Sequence, residues 1–257
     1  MSLRQVVFSA LEGIPEVAPG DCVASLISGA LKRHGLKARE GDALVVAQKI
    51  VSKAEGRVVD LREVEPSARA LEIAAEVEKD PRLVEVILRE SVRVVRKGMV
   101  SAGKGRIIAE TRSGMIMANA GVDLSNTGAD DLAVLLPVSA DASADAIREK
   151  LGRLCGSGAA VIITDTAGRP WREGLVDIAI GCSGMKALSD YRGTGDMRGA
   201  ELVATEMAVA DQIAAGAGIL MRKDSGSPVV LAKGAGFEPG GTGAAALIRK
   251  RAEDLFR

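Results

Sequence analysis

Aromatic side chains are nearly missing from this chain, which has one Trp, one Tyr and three Phe in 257 residues. A core with so few rings must be built from Ala, Val, Leu and Ile, although 47% of the sequence is hydrophobic. The same shortage removes the stacking platforms on which single-stranded nucleic acids bind. Charge of one sign is not in excess either, because 34 basic residues balance 34 acidic ones. With no global positive field and no basic run interleaved with rings, nucleic acid is not an expected partner. Histidine occurs once, at His34. Histidine-rich zinc sites and catalytic triads that need an imidazole base therefore have almost nothing to use. The three cysteines, Cys22, Cys155 and Cys182, are far apart and odd in number. They imply no disulfide framework, and a reducing cytoplasm is the expected setting. Apolar runs of about 18 residues, the length a membrane span requires, are absent too, so no membrane association is expected.

Polar chemistry must then come from Asp, Glu, Lys, Arg, Thr and bound metal. The stretch around which the sequence is organised is Val161–Arg172, VIITDTAGRPWR. Its four β-branched residues, Val161 to Thr164, suit a buried strand. The run stops at Asp165-Thr166, and Ala167-Gly168-Arg169-Pro170 supplies turn chemistry. Met115–Asn119 ends in the same way, leading into Ala120-Gly121-Val122-Asp123. Two aspartates at strand ends point to one crevice and one hard cation, since a lone buried carboxylate is costly. The plainer reading is that each satisfies nearby turn amides. With Ser125, Asn126 and Thr166 alongside, the oxygen-rich set suits Mg²⁺ or Mn²⁺.

Other elements follow from periodicity and punctuation. Strands are expected at Val6–Leu11, Asp42–Ala47, Val92–Arg96, Arg106–Glu110, Leu175–Ile180 and Pro228–Ala232. Helices are expected after Asp21, over Ser67–Glu78, Pro81–Glu90 and Ala144–Leu154, through most of Glu201–Leu220, whose first residues also suit a strand, and as a closing Ala244–Phe256. These do not alternate strictly as βαβ units. The reading is an α+β fold, mixed sheets with packed helices in two intertwined lobes, forming one domain over 1–257.

Lys49 and Lys53 flank Ile50-Val51-Ser52. If the stretch is extended, both ammonium groups point one way, and with Lys186 they reach a polyphosphate; the alternative is a solvated basic edge. Arg169 and Arg172 either clamp an anion or brace their turn. The glycine-rich stretches match neither a P-loop nor a dinucleotide fingerprint. Cys182, beside Ser183-Gly184, reads as packing.

Several segments in order, Glu12-Gly13-Ile14-Pro15, Ser52-Lys53-Ala54-Glu55-Gly56, Asn119-Ala120-Gly121-Val122-Asp123, Ile163-Thr164-Asp165-Thr166 and Gly181–Ala187, resemble the coenzyme F420-0:L-glutamate ligases. The resemblance runs through almost the whole chain. It implies GTP-dependent addition of L-glutamate, by γ-linkage, to the deazaflavin precursor F420-0. It also implies two divalent cations with K⁺, and an intertwined homodimer. Carried over by position, Glu12, Gly13, Ile14, Pro15, Gln48, Lys49, Lys53 and Asn126 would contact GTP. Asp123 and Asp165 would hold one metal and Thr166 a second, with Lys53, Asp123 and Asp165 as the catalytic set. The C-terminal flavin-reductase-like domain of some members is not expected here.

One departure concerns Met221-Arg222-Lys223-Asp224, where the family commonly has Met-Gly-Glu or Met-Gly-Gln contributing to the second metal and the nucleotide. Lys223 falls at the ligand position and cannot coordinate while protonated. Either Asp224 substitutes, or the protein's own cation replaces part of that metal's charge. Alternatives are a related amide ligase acting on another carboxylate, and a nucleotide-binding protein without turnover.

Overall fold

The computed structural model describes residues 3–100, 104–124, 131–222, 225–241 and 243–255. In chain order the elements begin with β1 (Val7–Ala10), α1 (Val23–Arg33), β2 (Ala43–Ala47), α2 (Gln48–Ala54) and β3 (Val58–Asp60). They continue with α3 (Ala68–Val77), α4 (Pro81–Arg89), β4 (Ser91–Val100), β5 (Lys104–Thr111), β6 (Ile116–Ala118) and β7 (Leu132–Val134). The chain then forms α5 (Ala140–Cys155), β8 (Ala160–Arg169), β9 (Arg172–Ser183), β10 (Ser189–Asp190), β11 (Glu206–Met207), α6 (Val209–Gly218) and β12 (Val229–Lys233). The fold is α+β with mixed sheets, as the sequence pattern indicates.

The largest sheet runs β1-β12-β2-β8-β9. Only β2 and β8 are parallel, with Val46 opposite Ile163 and Ala47 opposite Thr164. Alternation divides its side chains between two cores. Leu44, Val46, Val161, Ile163, Val229 and Leu231 face α1 and α5, while Val45, Ile162, Val230 and Ala232 face α6. With few rings available, close approach of small residues does the packing. A Cβ on Gly216 of α6 would sit 2.4 Å from the Phe8 ring, so the helix lies directly on that side chain. A third core joins α3 and α4 to the back of the β4-β5-β6 sheet through Ile73, Val77, Val84, Ile87, Ile107 and Ala109.

Several boundaries follow their expected physical signals. Ser67 caps α3, Pro81 begins α4 behind the Asp80 cap, and Ser139 caps α5. At α1 the capping side chain is Cys22, whereas Asp21 turns back to accept the Ala18 amide at 2.8 Å.

Three expectations are corrected. The stretch after Ala47 is not extended but helical, as α2, because Ile50, Val51 and Ser52 bury one side of a short helix between the sheet and β3. Ala244–Phe256 is not one helix: 3₁₀ turns cover Ala244–Leu247 and Arg251–Glu253, separated by extended Ile248. The Asp141 carboxylate holds the Ala244 and Ala245 amides at 2.7 and 3.3 Å, tying that segment to α5. The helix expected through most of Glu201–Leu220 is confined to Val209–Gly218, and the early strand that the segment also suits forms at Glu206–Met207, paired with Ser189–Asp190. Among the described residues no helix is long and apolar enough to cross a membrane.

Candidate functional site

A cavity of about 1210 Å³ lies between the largest sheet and the β4-β5-β6 sheet. One wall is the start of α2. Gln48 is 2% exposed; its Oε1 accepts the Ser52 hydroxyl at 2.7 Å, and its Nε2 has no partner. Lys49, the next residue, and Lys53, about one turn beyond it, share a helix face, which the i, i+4 spacing supplies. Lys49 Nζ lies 2.7 Å from Asp123 Oδ2, and Lys53 pairs with Glu16.

Asp165 lies within β8 rather than at its end, because the β8–β9 hairpin continues to a turn at Pro170 and Trp171. A register shift between Ile163 and Thr164 interrupts the ladder just before it. Across the pair, Thr166 faces Asp177 and donates its hydroxyl to Asp177 Oδ1 at 2.7 Å. Burial pushes the Asp165 carboxyl up to about 7; the Asp123 and Asp177 charges add to this, and the Thr166 amide and Lys49 oppose it. Three aspartates thus share one region of negative charge.

Asp123 is placed by an unusual turn. Asn119, Ala120 and Gly121 have φ of 52°, 53° and 74°, three successive left-handed residues directly after β6. For Asn and Gly this is tolerable, but for Ala it costs about 1–2 kcal/mol. The turn closes with Val122 N–H on Asn119 O at 3.0 Å. Asp123 then exchanges backbone hydrogen bonds with Val134 at 3.0 and 2.8 Å. Asn119 Oδ1 is left buried without a donor. Strain and an orphaned polar atom in the same turn make it a candidate ligand contact.

Of the sequence-derived candidates, Ile14, Pro15, Gln48, Lys49, Lys53, Asp123, Asp165, Thr166 and Met221 line the cavity. Glu12 and Gly13 are not among its lining residues. Their carbonyls instead meet the end of α1, with His34 Nε2 3.2 Å from Glu12 O and Arg33 donating to Gly13 O at 2.8 Å. Asn126 and Lys223, with Ser125 and Asp224, fall outside the described residues. Lys186 is not with Lys49 and Lys53, because it pairs with Glu238 at 2.6 Å on the surface. Arg169 braces its hairpin through the Glu173 carbonyl at 3.2 Å. Cys182 is buried and its thiol is pushed up to about 12 by burial and then by the Asp141 and Asp145 charges, so it is packing, not a nucleophile. Asn119 and Asp177 were not singled out in the sequence. For Asp177 the available signal was a carboxylate interrupting Leu175-Val176 and Ile178; for Asn119 it was a polar residue before Ala-Gly at the end of an apolar run.

Fit to a divalent cation can be judged from this donor set. Among the described residues, no three His, Cys, Asp or Glu side chains form a metal-holding group by themselves. Asp123 and Asp165 nonetheless line the same cavity, and the Asp123 charge adds to the raising of the Asp165 carboxyl pKa. A site with one or two carboxylates, completed by water and substrate phosphate, is how Mg²⁺ is ordinarily bound. The residues fit such an ion, and they do not fit a closed structural site.

The fold and cavity therefore define an α+β protein with a cleft whose lining brings Lys49, Lys53, Asp123 and Asp165 together. The family model described as F420-0:Gamma-glutamyl ligase matches residues 13–234, and the chain belongs to that family. The chain is 44% identical over 250 residues to the "Coenzyme F420:L-glutamate ligase" of Methanothermobacter thermautotrophicus, covering 96% of this chain and 97% of that protein. Proteins of the same name from Methanopyrus kandleri and Archaeoglobus fulgidus are 43% and 38% identical, covering 96% and 99% of this chain and 97% of each relative.

Proposed function

We propose that this chain is a GTP-dependent ligase that joins L-glutamate to the terminal carboxylate of coenzyme F420-0 through an acyl phosphate. The observation that carries the reading is the meeting of Asp123, Asp165 and Lys49 in one cleft of a chain belonging to this family.

A carboxylate does not condense with an amine unaided, because its oxygen is a poor leaving group. In the proposed sequence a carboxylate oxygen of F420-0 attacks the γ-phosphorus of GTP, and the bond to the β-phosphate bridging oxygen breaks. GDP leaves. The amine of glutamate then attacks the acyl carbon, inorganic phosphate departs, and the proton lost by nitrogen leaves with solvent. Both steps depend on positioning and on cations facing the phosphoryl oxygens.

Lys49 and Lys53 supply two of those cations from one helix face, exchanging Asp123 and Glu16 for phosphate oxygens. The unpartnered Gln48 amide donates to an oxygen of the nucleotide. The unpartnered Asn119 oxygen is complementary to a substrate that brings an N–H. Asp123 and Asp165 would hold Mg²⁺ or Mn²⁺, with Thr166 beside Asp177 offering oxygens to a second ion. Such an ion offsets the negative charge of the phosphates by several kcal/mol.

The test is incubation of the purified protein with GTP, F420-0, L-glutamate and Mg²⁺ or Mn²⁺, followed by mass spectrometry. The acceptor should gain one glutamyl residue, with GDP and phosphate released in equal amounts. Failure to form product, or GTP hydrolysis independent of both other substrates, would overturn the reading.

A further inference from the structure

The cavity is larger than one substrate requires: about 1210 Å³, where single-ligand sites commonly occupy roughly 300–1,000 Å³. Lys49, Lys53, Asp123 and Asp165 account for one part of its lining. The part on the β4-β5-β6 sheet has a different chemistry that the proposed phosphate-handling residues do not use.

Strand alternation splits that sheet. Ile107 and Ala109 are fully buried toward α3 and α4, so Arg106 and Ile108 turn to the cavity. Ala118 lies opposite Ile108 on β6, and Ile116 lies on the same face two residues earlier. Ile116 remains 39% exposed, a large apolar side chain lining an open cavity. Among the described residues none that lines the cavity is aromatic, so a flat ring entering it rests on aliphatic side chains.

A cation stands at the edge of this platform. Arg106 is exposed and has no ion pair or side-chain hydrogen bond among the described residues, whereas Arg93 on the same sheet is paired with Glu110 at 2.7 Å. Its cross-strand partner is Gly98, which places no side chain beside it. Its position is fixed by Gly105: a Cβ there would fall 2.0 Å from the Val77 carbonyl oxygen, so β5 starts in direct contact with the end of α3. That contact brings Lys79, another lining residue, to the same rim.

We propose that this apolar face with Arg106 at its rim is the subsite for the acceptor, a flat deazaflavin ring lying on Ile108, Ile116 and Ala118 with its anionic tail turned to Arg106. The assignment rests on the ligase reading above. It places the acceptor on the β4-β5-β6 wall, with the tail's carboxyl end running toward the nucleotide past the Asn119 turn. An aliphatic platform with one bidentate cation suits a large ring bearing a phosphodiester.

Steady-state kinetics with each substrate varied in turn provide the test. Arg106→Ala should raise KM for F420-0 about tenfold, with KM for GTP and for glutamate changed less than twofold. Added salt should narrow the gap from wild type. Ile116→Asn, at a partly exposed position that tolerates polarity, should raise the same KM. Calorimetric titration of F420-0 into the protein without GTP should show both variants weakened. If KM for GTP rises instead, the face holds the nucleobase and the proposal is wrong; if no KM moves, it is no subsite. A wild-type protein that forms no glutamylated product would overturn the ligase reading itself, whereas a fully active wild type with unaltered variants overturns only this subsite.

Discussion

Lys49 Nζ lies 2.7 Å from Asp123 Oδ2, so one carboxylate of the cleft is already paired with the protein's own cation. A divalent ion arriving at Asp123 must compete with that ammonium group. The pair is partly exposed, with side chains 22% and 38% accessible, which limits its worth to about 1 kcal/mol. Lys49→Met should therefore tighten Mn²⁺ binding to the nucleotide-free protein by up to about fivefold. The same variant should lose GTP affinity, since a phosphate contact goes. Titration of free Mn²⁺ by electron paramagnetic resonance decides the first point. Weaker Mn²⁺ binding in the variant would show that Lys49 supports the ion rather than competing with it.

The second prediction concerns pH. Burial, then the neighbouring Asp123 and Asp177 charges, raise the Asp165 carboxyl to about 7, above its ordinary value of 3.8. A carboxyl with a raised folded-state pKa holds its proton in the native state after the unfolded chain has released it. Stability then falls as pH rises from about 4 to about 7, and the loss is complete above that window. In metal-stripped protein, Asp165→Asn should flatten this fall and raise the melting temperature at pH 8, by a few degrees for each kcal/mol recovered. With GTP and metal present, the same substitution should lower glutamylation at least 100-fold, or about 3 kcal/mol. Thermal melts across pH, with and without chelator, check the first outcome, and the mass assay checks the second. A variant less stable at pH 8 would mean that the carboxylate is satisfied by local groups.

The outlines of this site and fold were readable because they depend on short-range patterns. Val161–Thr164 is buried strand because β-branched residues fill both faces of a central strand, and Ser67, Asp80-Pro81 and Ser139 start helices through local hydrogen bonds. The convergence of Asp123 and Asp165 was legible as two apolar runs that each end in a carboxylate. What was hidden depends on distant partners. Gln48–Ala54 is helical because β2 must leave its parallel neighbour and bury Ile50 and Val51, while its β-branched residues alone resemble strand. The closing segment reads as amphipathic, yet Asp141, more than 100 residues earlier, binds its first amides and confines it to turns. Asp177 acquires its meaning only from lying opposite Thr166, a register that no local signal encodes.

A third prediction uses the polar pair under α2. Gln48 and Ser52 are 2% and 0% exposed and bond to each other, yet Gln48 Nε2 stays unpartnered. A buried unmatched donor costs about 1–3 kcal/mol. Replacing both residues, as Gln48→Met with Ser52→Ala, removes donor and acceptor together. The double variant should match or exceed wild-type stability in urea unfolding while KM for GTP rises about tenfold. A loss of stability with unchanged GTP kinetics would assign the pair to structure alone.

The last prediction tests the turn that carries Asp123 into the cleft. Gly121 has φ of 74°, and a Cβ placed on it would lie 2.6 Å from two atoms of the Leu136 side chain. Gly121→Ala therefore meets both backbone strain and a clash inside a packed wall. Positive φ alone costs about 1–2 kcal/mol for an L residue, and overpacking adds a comparable amount. The variant should lose about 2–4 kcal/mol of stability and, where it still folds, bind Mn²⁺ more weakly because Asp123 is displaced. The two contributions can be separated. Leu136→Ala in the Gly121→Ala background opens the space but leaves the φ penalty, so it should restore metal affinity more than it restores stability. Calorimetric Mn²⁺ titration alongside urea melts measures both quantities on the same samples. Recovery of stability without recovery of metal affinity would mean that the turn does not set the position of Asp123.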